Sequence, residues 1–144
     1  MPQLSSAHIL RFTLGLTFIF VSVMIFQEPI VWAGFIDPWA VKLIPISLTA
    51  LMTFTAVLDL VIGLLLIINR FVWVTALVSA LHLLGVLIAS GIDTVTVRDI
   101  GLLGAAAALM FMTPPPKFLK PVPADIQQAP DLQSLIKSEQ EETL

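Results

Sequence analysis

The chain of 144 residues has no cysteine and no tyrosine, and only 12% of it is charged. Without cysteine there is no disulfide, no thiolate nucleophile, no iron–sulfur ligation and no Cys-based zinc site. A soluble domain carries about a quarter charged residues, so this scarcity points away from a water-exposed surface. The few charges sum to −3, which lacks the basic footprint of a nucleic-acid binder. The opening stretch "MPQLSSAHILRF" has neither a cationic n-region nor a small-residue cleavage site, so no removable signal peptide is expected.

What is present is apolar. Hydrophobic residues make up 58% of the sequence and the mean hydropathy is +1.00, the composition of a membrane protein. A bilayer core about 30 Å thick needs about 20 apolar residues in helical form. Four segments meet or approach that length: Ala7 to Phe26, Ile46 to Ile68, Phe71 to Ser90 and Val95 to Met112. The sequence therefore predicts an all-α fold, an integral membrane four-helix bundle spanning residues 1–113. The loop "QEPIVWAGFIDPWAVKLIP" between the first two spans carries Trp32 and Trp39, which favour the headgroup zone.

Residues 114–144 form a different material. The proline-rich run from Pro114 to Pro130 predicts an extended, disordered tail. Beyond it, Leu132, Leu135 and Ile136 have the spacing of a short amphipathic helix. Four spans put both termini on one side, with Arg11, Arg70, Lys117 and Lys120; Glu28, Asp37, Lys42 and Asp93 fall on the other. The excess of Lys and Arg near the helix ends predicts cytoplasmic termini and a cytoplasmic tail.

Each span contains at least one ionisable residue. Asp59 and His82 lie eleven and twelve residues to either side of Arg70, at the centre of the turn between the second and third spans. In an antiparallel hairpin both then sit about 17 Å from that turn, near mid-membrane. A lone charge at that depth costs about 3 kcal/mol, so Asp59 is expected to face the bundle interior, hydrogen-bonded to His82 or carrying a proton of its own. Intramembrane pairs of this kind mark proton or ligand sites, or act as interhelical glue worth about 1 kcal/mol.

Other charges have less demanding readings. Arg11 can snorkel to headgroups or reach inward toward Asp59. Thr96 and Asp99 have capping-box spacing at the start of the fourth span, which leaves Arg98 to pair elsewhere or to snorkel. His8 is expected at the surface; it and His82 lie at different depths, so no shared metal or haem site is expected. Gly101, Gly104, Ala105 and Ala108 form a small-residue stripe expected to pack closely on a neighbouring helix.

Four ordered stretches, "RFTLGLTFIF", "EPIVWAGFIDPW", "LDLVIGLLLIINR" and "VRDIGLLGAAAALM", resemble the DoxX-like family of small four-helix bacterial inner-membrane proteins. The resemblance covers residues 7–112, with the Arg-Asp-Ile-Gly start of the last helix its most specific part. Family members usually carry Gly and Lys late in the first helix, where this chain has Ser22 and Ile25, so a role resting on that lysine does not carry over. Glu is frequent where this chain has Asp59, which keeps the carboxylate.

The resemblance implies a role near membrane redox chemistry. Some relatives form the membrane part of a thiosulfate:quinone oxidoreductase, and others associate with oxidative-stress enzymes. The function so implied is a membrane subunit of a redox or respiratory complex, with a quinone as candidate cofactor. Asp59, His82, Arg11, Arg98 and Asp99 are its candidate ligand or proton-handling residues. The chain has no cysteine and no flavin fingerprint, so a soluble or membrane oxidoreductase subunit would have to supply the redox centre. A second copy of the chain is a further candidate partner. A solute, proton or lipid-interacting carrier, and a non-catalytic scaffold, are the alternatives.

Overall fold

The computed structural model describes residues 6–93 and 95–115. The proline-rich tail and the helix expected after Pro130 lie outside these residues. All regular structure among the described residues is helical, in the order α1 (Ser6–Gln27), α2 (Pro29–Ala33), α3 (Pro38–Val41), α4 (Leu48–Ile68), α5 (Val72–Ser90) and α6 (Val97–Met112). Three of them, α1, α4 and α5, are long and apolar enough to cross a membrane. Their outward faces carry large apolar side chains such as Phe20, Phe54 and Leu81, as a lipid solvent requires.

Local signals set the helix ends. Pro29 and Pro38 occupy first helical positions, where a missing N–H costs nothing, so the interhelical loop folds into α2 and α3. Ser47 caps α4 by accepting the Ala50 N–H at 3.2 Å, which moves the helix start from the expected Ile46 to Leu48. At its other end Asn69 adopts the left-handed conformation, and Asn69 and Arg70 N–H groups return to the Leu66 and Leu65 carbonyls. This pair of bonds is a Schellman stop, and it makes the tight turn into α5.

Packing runs α1 on α4, α4 on α5, α5 on α6 and α6 back on α1, with α2 laid against α1 and α4. The tightest approach is between α1 and α4 at Gly15 and Gly63. A Cβ on Gly63 would stand 2.7 Å from both the Gly15 carbonyl oxygen and Ile19 Cγ1. About two turns away, Ser22 donates to the Ala56 carbonyl at 2.7 Å, closing the same interface with a buried hydrogen bond. The apolar core falls into two clusters. One joins Leu14, Phe18, Ile62, Leu66, Ala76, Leu83, Ala106 and Leu109; the other joins Ile25, Ala33, Met52 and Ala56. Along α4, Asp59 sits between them.

The small-residue stripe of α6 is rotated away from its expected place. Gly101, Gly104 and Ala108 are exposed, and a Cβ on either glycine would meet nothing within 4 Å. Asp99, Ala106 and Leu109 take the inward face instead. The reason is the acid: an inward stripe would turn Asp99 outward to lipid, where a charge is costly. Close helix approach belongs to Gly15 and Gly63.

Gly63→Leu should therefore lower the melting temperature in detergent by overpacking, a cost of about 1–3 kcal/mol, whereas Gly104→Leu should melt with the parent. The opposite ranking would show that α6, not the α1–α4 pair, holds the close contact.

Candidate functional site

Asp59 and His82 reach each other from α4 and α5. His82 Nε2 lies 3.0 Å from Asp59 Oδ1, and the two side chains are 15% and 5% exposed. The approach is off-axis: the ring N–H does not aim at the oxygen, and Oδ1 has no hydrogen-bond donor. The contact is thus a close approach that leaves a buried acceptor unsatisfied. Such an atom costs about 1–3 kcal/mol until a donor arrives, more if it is charged.

Both residues line a cavity of about 320 Å³, the lower end of the range for small-molecule sites. Its walls come from all four long helices and from α2. Phe18, Val21 and Ile25 of α1 face Leu51 and Met52 of α4, and Val86 and Ala89 of α5 face Leu102 of α6. Trp32 closes the end nearest the α2 loop, with Phe35 and Ile36. The cavity is apolar except at a few points, chiefly the Asp59–His82 pair and the Arg98–Asp99 pair.

Arg98 Nε donates to Asp99 Oδ1 at 3.3 Å, and its guanidinium lies 5.6 Å from the centre of the Trp32 ring. That cation–π contact ties the start of α6 to α2. Asp99 does not cap α6. The reciprocal box is one turn earlier: Asp93 Oδ1 accepts the Thr96 N–H at 2.8 Å, and Thr96 Oγ1 accepts the Asp93 N–H at 2.8 Å. The backbone N–H groups of Thr96 and Val95 hold the Asp93 carboxyl below the usual carboxylate range. With capping done by Asp93, Asp99 is released to face the cavity.

Arg11 takes no part in the site. Its Nη1 donates to the carbonyls of Leu66 at 2.9 Å and Ile67 at 3.4 Å. Of the two readings, the inward reach to Asp59 does not occur, because the C-terminus of α4 offers carbonyl lone pairs and the negative end of a helix dipole to the guanidinium. His8 is exposed near the start of α1.

Of the five candidate residues, the structure brings Asp59, His82, Arg98 and Asp99 around one cavity and excludes Arg11. Sequence reasoning missed Trp32 as a wall residue, since a loop tryptophan reads as a headgroup anchor. It also missed Asp93. The signal was there, because "DTVTVRD" contains two overlapping capping spacings, 93–96 and 96–99.

Chemically, the arrangement suits an amphipathic ligand. The cavity offers apolar walls, an acceptor with an imidazole beside it at mid-helix, and a guanidinium–carboxylate pair at the loop end. Comparison with protein-family models, with curated proteins and with solved structures finds no match to the chain, so the reading of this site rests on its own residues.

Proposed function

We propose that the chain is a DoxX-like integral membrane protein of a bacterial inner membrane, spanning it four times with both termini cytoplasmic. In this reading α6, at 16 residues, is the fourth span. We further propose that it serves as the quinone-binding subunit of a redox complex, with the redox centre supplied by a partner protein.

One observation carries the reading: an acid–imidazole pair opens onto an apolar cavity inside a helical bundle. A quinone ring fits that description. It is flat and apolar, and its two oxygens need hydrogen-bonding or proton-transferring partners. Asp59 and His82 stand where one oxygen would be met, and Arg98 stands toward the loop end where the other would be met. An imidazole N–H at His82 can donate to a quinone oxygen, and the Asp59 carboxyl can accept from the O–H of the quinol, the two electrons of that reduction being supplied by the partner's redox centre. Asp99 keeps the Arg98 guanidinium in place.

The topology is tested by reporter fusions. A periplasm-active reporter should be silent after Leu144 and active when inserted near Asp37; the reverse pattern would invert the orientation. The site is tested by Asp59→Asn. This variant should melt no lower than the parent, because the amide keeps the shape of the carboxyl and a neutral oxygen is less costly to leave without a donor. It should bind a soluble quinol roughly ten- to hundred-fold more weakly, the loss expected when the quinol O–H no longer donates to a carboxylate. Quenching of Trp32 fluorescence reads the binding in a background carrying Trp39→Phe and Trp73→Phe, since of the three tryptophans this ring lines the cavity. Unchanged affinity would remove Asp59 from the site and reduce the pair to a packing contact.

A further inference from the structure

Gly85 sits in an unusual place. It follows His82 by three residues on α5, lines the cavity and is exposed. A Cβ built on it would meet nothing within 4 Å. No close helix contact therefore requires a glycine there, and glycine weakens a helix relative to alanine. Leu81, four residues earlier on the same side of the helix, also lines the cavity while 60% exposed. Leu84 and Ile88, exposed apolar residues, flank the same position. Gly85 is five residues, about 8 Å, inside the C-terminal end of α5.

Together these observations describe an opening in the cavity wall at a depth where the surroundings are hydrocarbon. We infer that Gly85 is a side portal from the bilayer, through which the ligand enters and its apolar tail remains threaded while its polar ring rests at Asp59 and His82. The inference rests on the quinone reading above and adds to it a ligand class: a membrane-dissolved ring with a long apolar tail, in preference to a compact water-soluble ring. The missing side chain at position 85 is what leaves room for the tail. Leu81 and the neighbouring apolar residues give the tail a wall to lie against.

The experiment compares two probes, a decyl-tailed quinone and the same ring without a tail, binding to the full chain in lipid nanodiscs, read by Trp32 quenching in the same Trp39→Phe, Trp73→Phe background. The variants are Gly85→Phe and Gly85→Leu, with Gly101→Phe as control, because position 101 is equally open but lies away from the cavity. All should melt with the parent, since no replaced atom was in contact. Both Gly85 variants should weaken the tailed probe by roughly ten-fold or more, the loss expected when about two methylenes leave an apolar groove. The tail-less ring should bind as to the parent, and Gly101→Phe should change neither. If the parent binds both probes and the Gly85 variants do too, the site reading stands and the portal is wrong. Equal weakening of both probes would also overturn it, because position 85 would then only fill the ring's space. If the parent binds neither probe, the quinone reading fails and takes the portal with it.

Discussion

A carboxylic acid buried in an apolar medium fixes the geometry around it. Asp59 cannot face lipid without a penalty of about 3 kcal/mol, so α4 must turn it inward, and at 3% exposure it is one of the most enclosed polar residues in the bundle. That rotation also turns Gly63, one turn later, onto α1, where the absent side chain lets the two backbones approach. The same demand acts on α6. Burying Asp99 turns Ala106 and Leu109 inward and leaves Gly101 and Gly104 on the outside. Two acids thus set the rotation of two helices.

The cavity follows from the asymmetry of this packing. Around Gly15 and Gly63 the α1–α4 pair is pressed together, and the larger apolar cluster fills the end of the bundle near the α4–α5 turn. Toward the α2 loop the helices are joined by a smaller cluster, by the Ser22 hydrogen bond and by the Arg98–Trp32 contact. Space remains between those two regions, and the polar side chains that cannot face lipid collect around it. Structure and site have one cause: polar groups in an apolar solvent must find each other inside the protein.

The four long helices were legible in the sequence because apolar runs of about 20 residues have few alternatives, and their observed ends differ from the expected ones by at most two residues. The Asp59–His82 encounter was legible because helix rise is constant and the turn at Asn69–Arg70 is tight. Among the features that were not, three share a cause. Arg11 has two partners in reach, and only the antiparallel packing of α1 shows that the end of α4 is the nearer. The rotation of α6 was misjudged because a small-residue stripe and a buried acid both claim the inner face, and the spacing alone does not rank them. The Asp93 cap was hidden by a second, overlapping match to the same pattern. Each miss is a choice between two local signals that tertiary packing decides.

The central claim is that Asp59 and His82 interact inside the bundle. A double-mutant cycle on the unfolding free energy, built from Asp59→Ala, His82→Ala and the double variant, measures it most directly. Residues in contact couple by about 0.5–3 kcal/mol, and the account predicts a value in that range. Strictly additive losses would mean that the two side chains act independently, and the pair on which the site is built would not exist.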